Sequence, residues 1–167
     1  GGERGESVIQ TSSGEYIFTG TTSSLGDGGS DIWLIKADSS GNEVWNYTYG
    51  GSNYDWGRSI CQSPDGGYLL LGSTQSLGDG ESSAWLVKTD TLGQEEWNYT
   101  LGGPGVDRGE EIQTTSDGGY IITGNTSSSG NGEWDLWLIR LEPDLPPYDG
   151  PVWHVNNNGS DSNDGSF

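Results

Sequence analysis

The chain has 167 residues and carries 25 acidic residues against six basic ones, which gives a formal net charge of −19. Nucleic acids and anionic lipid surfaces bind basic footprints, so this charge argues against both as partners. No run reaches the ~18 apolar residues of a membrane-spanning helix, and we expect no membrane insertion. The 30 glycines and eight tryptophans predict many turns between aromatic strands rather than a disordered acidic segment.

The sequence repeats itself with a period of 52 residues. Trp33, Trp85 and Trp137 keep this step. Tyrosine and glycine columns keep it as well: Tyr16, Tyr68 and Tyr120; Gly20, Gly72 and Gly124; Gly5, Gly57 and Gly109. No insertion interrupts nearly three copies, which predicts a tandem repeat architecture.

Each copy alternates short apolar runs with clusters of Gly, Ser, Asp and Asn. In the second copy these runs predict four strands, at 58–62, 68–73, 84–90 and 95–101. The third strand is apolar on both faces and must therefore be covered on both sides, as in a sheet stacked between two others. We predict an all-β fold of four-stranded antiparallel sheets, which are β-propeller blades in about three 52-residue repeats and form an incomplete propeller.

Three segments of the second copy, at 54–60, 63–68 and 84–90, resemble the propeller-like tandem repeats of archaeal and bacterial cell-surface and secreted proteins. The resemblance spans residues 1–142 and implies an extracellular or cell-surface location. The trio Asp90, Gly93 and Trp97 also resembles the tryptophan-docking motif of quinoprotein propellers, in which the tryptophan packs against the neighbouring blade. Neither resemblance brings a catalytic residue with it.

The copies divide the chain into 1–49, 50–101 and 102–142, followed by a proline-rich linker over 143–151. Position 149, which corresponds to Trp97, is an aspartate, so we expect the third copy to lack its fourth strand. Residues 152–167 resemble the truncated start of a right-handed parallel β-helix domain of the pectate-lyase-like type. Three copies are too few for a ring, so we expect missing blades of a larger propeller, or alternatively an oligomer, to complete it.

The sequence contains few candidate catalytic residues. The single histidine, His154, lies in the tail, so a Ser–His–Asp triad cannot form within the repeats. Cys61 is the only cysteine, and we interpret it as a half-buried thiol without a disulfide partner. We therefore predict a protein that is not an enzyme and has no catalytic residue.

Acidic turns raise the question of a metal. The segments 27–31, 79–81 and 161–165 place hard oxygen ligands on turns, but none follows the twelve-residue calcium loop with its closing glutamate. Aspartate and asparagine before glycine are ordinary turn formers. We predict no metal site and no cofactor, with calcium left open.

The tryptophans that recur in phase predict core positions, whereas Trp56 and Trp134 fall out of phase and are our candidate ligand-binding residues. Trp56 stands where the other copies have Arg4 and Arg108. The Asn-x-Ser/Thr pattern predicts glycosylation at four positions: Asn46, Asn98, Asn125 and Asn158.

Three of the six bases, Lys36, Lys88 and Arg140, share one repeat column, and we expect each to pair with an acid. The candidates lie two residues further on the same face (Asp38, Asp90 and Glu142) or in the column Glu3, Asp55 and Asp107. The whole pattern favours a non-enzymatic extracellular scaffold or adhesion module that binds a protein or glycan at the cell surface. The alternative is the glycan-binding part of a carbohydrate-active enzyme whose catalytic residues lie outside this chain.

Overall fold

The computed structural model describes residues 2–78, 80–130 and 133–143, and the backbone of 152–155, and these residues form three antiparallel sheets. The first sheet contains β1 (Glu3–Gln10), β2 (Tyr16–Thr22), β3 (Asp31–Ala37) and β4 (Glu43–Tyr49). The second contains β5 (Asp55–Gln62), β6 (Tyr68–Thr74), β7 (Ser83–Thr89) and β8 (Glu95–Leu101). The third contains β9 (Asp107–Thr114), β10 (Tyr120–Thr126), β11 (Asp135–Leu141) and β12 (Val152–Val155).

The strands of each sheet follow one another in chain order, so every sheet is an antiparallel meander. This confirms the all-β fold, and the strands predicted in the second copy fall within three residues of the observed ends. The described ranges contain no helix that is long and apolar enough to cross a membrane.

The expectation that the third copy lacks a fourth strand is wrong. Val152–Val155 pairs antiparallel with β11, with Leu138 opposite Trp153, and takes the place that β4 and β8 hold in the other sheets. The tryptophan anchor at 149 is missing, yet the strand forms further along the chain.

Two apolar clusters lie between consecutive sheets. One joins the first sheet to the second and includes Ile32, Leu34, Tyr68, Leu70 and Trp85. The other joins the second sheet to the third and includes Leu69, Leu71, Leu86, Ile122 and Trp137. Residues at even and odd positions of a strand point to opposite faces, so the second sheet contributes one face to each cluster.

Burial on both faces, predicted for the third strand of every copy, holds fully in the second sheet, where all seven residues of β7 are buried. In β11 the pattern alternates, because none of the described residues covers one face of the third sheet. The prediction is therefore wrong for β11.

The glycine column Gly20, Gly72 and Gly124 is explained by a close approach of two backbones. A Cβ atom at Gly72 would lie 1.9 Å from the carbonyl oxygen of Trp56, and the other two glycines face the carbonyls of Arg4 and Arg108 in the same way. No side chain fits there, so the column holds the first two strands of each sheet in register.

The tryptophan near the start of the fourth strand packs against the next sheet. Ring atoms of Trp45 lie 3.0 Å from the position a Cβ of Gly93 would take, and the Tyr49 hydroxyl donates to the Gly93 carbonyl at 2.6 Å. Trp97 packs against the cluster between the second and third sheets. On the opposite side, the first strands β1, β5 and β9 contact one another in sequence.

Candidate functional site

A stacked pair of aromatic rings stands where the first sheet meets the second. The rings of Tyr54 and Trp56 lie 6.0 Å apart and are inclined by only 9°. The loop before β3 supports the pair, since a Cβ on Gly29 would lie 2.5 Å from the Tyr54 ring. Tyr54 is exposed and Trp56 half-buried, so the pair presents an apolar surface to solvent.

Backbone hydrogen bonds between the two sheets fix the position of this pair. The amide of Gly29 donates to the carbonyl of Asn53 at 2.8 Å, and the amide of Asp55 donates to the carbonyl of Ser30 at 2.8 Å. Ser82 and Asp107 make the equivalent bond between the second and third sheets. The support is thus part of the repeat, whereas the aromatic side chains on it belong to the second copy alone.

The aromatic pair borders an open cavity of about 390 Å³, which is lined mainly by β1, the loop before β3 and the start of β5. Its charged lining residues are Glu3, Arg4, Glu6 and Arg58. Arg4 contacts Glu6 at 2.8 Å, and Arg58 contacts the same carboxylate at 3.1 Å and Glu110 at 3.9 Å. Three of the six bases of this acidic chain, Arg4, Arg58 and Arg108, lie on the adjacent first strands.

The two predicted ligand-binding tryptophans have different surroundings. Trp56 lines the cavity. Trp134 lies just before β11, exposed, with the Arg108 guanidinium 5.1 Å from its ring centre, and it is not among the cavity residues. The sequence reasoning missed Tyr54, which precedes β5 by one residue. In an extended chain its spacing of two residues from Trp56 places both side chains on one face.

The three described asparagines of the predicted glycosylation sites lie on strands with their amides hydrogen-bonded. Asn46 accepts a bond from the Trp33 indole at 3.2 Å and donates to Glu43 at 2.7 Å. Asn98 repeats this arrangement with Trp85 and Glu95, and the Asn125 amide donates to Glu110 at 3.4 Å. Asn158 lies outside the described residues, and glycosylation stays a prediction at all four positions.

The basic column is paired with acids, as predicted, but mostly with other acids than those predicted. Lys36 contacts Glu15 at 2.9 Å, and Lys88 contacts Asp65 at 2.8 Å and Glu96 at 2.7 Å. Arg140 contacts Asp117 and Glu142, of which Glu142 was predicted. Asp38 and Asp90 instead accept backbone amides within their own turns.

The other acidic column that we considered as partners of the bases is Glu3, Asp55 and Asp107. In this column Asp55 and Asp107 accept hydrogen bonds from backbone amides and side-chain hydroxyls. The Asp107 carboxylate accepts bonds from the Gly103 amide and from the hydroxyls of Thr126 and Ser128. In the second sheet Asp55 accepts the Gly51 amide at 2.8 Å and the Ser76 hydroxyl at 2.7 Å through Oδ2. Its buried Oδ1 has no hydrogen-bond partner among the residues that the structure describes.

A second buried carboxylate approaches Asp55. The Oδ1 atom of Asp31 and the Oδ2 atom of Asp55 lie 1.7 and 2.9 Å from the point that a Cβ of Gly50 would occupy. Burial, together with the charges of Asp55 and Asp27, raises the pKa of Asp31 to about 6. At the next junction the residue equivalent to Asp31 is Ser83, so of the two junctions between described sheets only the first holds the carboxylate pair.

Cys61 is buried as a free thiol, and burial raises its pKa to about 12, which makes it a poor nucleophile. Two of the three acidic turns weighed as calcium ligands, 79–81 and 161–165, include residues outside the described ranges. Within the described ranges no three His, Cys, Asp or Glu side chains converge as metal ligands. The side chain of His154 is also outside the described part of the structure.

Comparison with known proteins gives distant similarities. No protein-family model matches the sequence. The regulatory protein FlaEY of Caulobacter vibrioides is 24% identical over 138 residues, which are 70% of this chain and 14% of that protein. A crystal structure of a protein of unknown function from Bacteroides caccae matches over 94% of this chain and 62% of its own, with 13% identity and a TM-score of 0.47.

Proposed function

We propose that this chain is a non-enzymatic binding module, built from β-propeller blades, of a larger cell-surface or secreted protein. It acts in adhesion or as an interaction scaffold and binds its ligand, a cell-surface protein or glycan, at the cavity beside Tyr54 and Trp56. Three similar meanders packed face to face, with their first strands adjacent, support the propeller arrangement.

The observation that carries the proposal is the stacked aromatic pair at a cavity with charged walls. A volume of about 390 Å³ falls within the range of small-molecule sites. The aromatic faces offer apolar contact area with a defined orientation. Arg4 and Glu6, which also line the cavity, offer donors and acceptors for hydroxyl or amide groups of a ligand.

The experiment is a binding screen with the purified chain, on a glycan array and on cell-surface protein extracts, followed by affinity measurements on each hit. Trp56→Ala is expected to weaken binding roughly tenfold or more, since aromatic anchors dominate such contacts. The matched control is Trp134→Ala, which removes an exposed tryptophan outside the cavity and is expected to leave affinity unchanged. Equal affinities for wild type and Trp56→Ala would refute the proposed site.

A second candidate function is the glycan-binding part of a carbohydrate-active enzyme whose catalytic residues lie outside this chain. The stacked rings favour it, because flat aromatic surfaces suit the apolar faces of sugar rings. Binding confined to polysaccharides, and lost in Trp56→Ala, would favour this candidate over the adhesion module. Trp56-dependent binding to a cell-surface protein would favour the first.

A further inference from the structure

The three sheets have two kinds of face. We call the side that packs on the following sheet the trailing face and the side that packs on the preceding sheet the leading face. Each cluster between sheets therefore joins one trailing face to one leading face. The leading face of the first sheet and the trailing face of the third sheet have no partner among the described residues.

The open leading face carries the same residue columns as the two covered ones. Val8 is 63% exposed, whereas Ile60 and Ile112, its equivalents in the other sheets, are 3% and 1% exposed. Tyr16 is 36% exposed, against 2% for Tyr68. The first sheet thus presents an apolar surface of the type that its neighbours bury.

The open trailing face shows the same contrast. Leu136 is 48% exposed, whereas Ile32 and Ala84, at the same position in the first two sheets, are fully buried. The basic column follows this trend, since the side chain of Lys88 is 6% exposed and that of Arg140 is 37% exposed. The third sheet therefore lacks the cover that a following sheet supplies.

These two open faces are the two halves of one repeated interface. The chain already contains that interface twice, between the first and second sheets and between the second and third. A partner that fits the open trailing face must resemble a leading face of this chain, and the first sheet carries such a face uncovered. The partner surface that the structure specifies for each end is thus the other end of the same chain.

We propose that the trailing face of the third sheet binds the leading face of the first sheet of a second copy of this chain. Such a contact is heterologous, because different surfaces meet, and it either closes into a ring or grows without limit. Two copies bring six sheets together, which is within the four to eight blades of closed propellers. The assembly is therefore a closed dimer in which both contacts are of this kind.

The first test is the mass of the purified chain by sedimentation and light scattering, over a range of concentrations. A value near twice 17.8 kDa is expected, and more dimer is expected at high salt, which screens the repulsion between two chains of charge −19. A monomer at all concentrations would overturn the proposal. That result is expected if further repeats or an unrelated protein, and not a second copy, cover these faces. A ladder of larger species would overturn the closed dimer.

Two variants test the direction of the contact. Leu136→Asp alters the trailing face and Val8→Asp the leading face, and each is expected to weaken dimerisation roughly thirtyfold or more, as for loss of an interface hot spot. Leu92→Asp, at an exposed leucine in a turn of the second copy, is the matched control and should dimerise like wild type.

Mixing the two variants gives the decisive result. A mixture of Leu136→Asp and Val8→Asp contains one intact contact, so a heterodimer is expected where neither variant dimerises alone. Dimerisation that only one of the two substitutions abolishes, or no recovery in the mixture, would indicate like faces in contact or non-specific association and would overturn the proposal. Because both positions are exposed in the single chain, far-UV circular dichroism is expected to stay unchanged.

Discussion

The buried carboxylate pair between the first and second sheets should lower the stability of this protein at neutral pH. The pKa of Asp31 is raised from its ordinary value of 3.8 to about 6, so the folded state holds a proton more tightly than the unfolded state. For an acid shifted in this direction, the free energy of unfolding falls as the pH rises from about 4 to about 6 and stays lower above that.

The substitution Asp31→Asn removes this penalty and keeps the shape of the side chain. At about 1.4 kcal/mol per pKa unit, a shift of this size corresponds to roughly 2–3 kcal/mol. We therefore expect Asp31→Asn to be more stable than wild type by about that amount at pH 7.5 and to show no gain near pH 3.5. An asparagine amide at position 31 can also donate to the neighbouring Asp55 carboxylate.

Urea unfolding of both proteins between pH 3.5 and 8, followed by tryptophan fluorescence, measures the difference at each pH. The internal repeat supplies the reciprocal variant, Ser83→Asp, which creates the pair beside Asp107 and should lower stability at pH 7.5. A variant Asp31→Asn that is less stable than wild type at pH 7.5, or a gain that is the same at every pH, would refute the reasoning.

Two further predictions concern the repeat columns. Lys88→Met should destabilise the fold by roughly 1–2 kcal/mol, because Lys88 is buried against the partly exposed carboxylates of Asp65 and Glu96. Burial opposes ionisation of Asp65, but hydrogen bonds from Lys88 and other donors outweigh it and lower the pKa of Asp65 to about 2. The urea midpoint of Lys88→Met should therefore lie below that of wild type above pH 4, and the difference should shrink toward pH 2. A difference that stays the same down to pH 2 would contradict this account. Gly72→Ala should lower the free energy of unfolding by about 3 kcal/mol or more, since its Cβ would collide with a backbone carbonyl. Gly5→Ala, in open space, should leave that free energy, measured by urea unfolding, within about 0.5 kcal/mol of wild type. A small effect of Gly72→Ala would contradict the close approach.

The sequence predicted the strands and the core because both follow from periodicity. Apolar runs and turn glycines repeat every 52 residues, so each strand is supported by the same pattern in the other copies. The pairing of Lys88 was harder to predict, since Asp65 lies in the turn before β6 and approaches Lys88 only through sheet pairing. Asp90, which we predicted as the partner, accepts amides of its own turn, and this local use of aspartate competes with ion pairing.

The remaining misses lie where the chain departs from its own repeat. The fourth strand of the third sheet carries no tryptophan in phase, so the column pattern did not indicate it, although backbone pairing with β11 is available to almost any extended segment. The open face of β11 was missed for a different reason. A strand that is apolar on both sides predicts cover on both sides, but the sequence does not say whether the cover belongs to the same chain.

Departures from the repeat also mark the candidate site. Identical columns are explained by the shared interior of the sheets, so a residue that differs in one copy is free from that constraint or has a separate role. Trp56 stands in a column with Arg4 and Arg108, and Arg58 in a column with Glu6 and Glu110. The residues that differ, Trp56 and Arg58, lie with Tyr54 at the junction of the first and second sheets. A closed dimer of the kind proposed would carry two such sites, one at the corresponding junction of each copy.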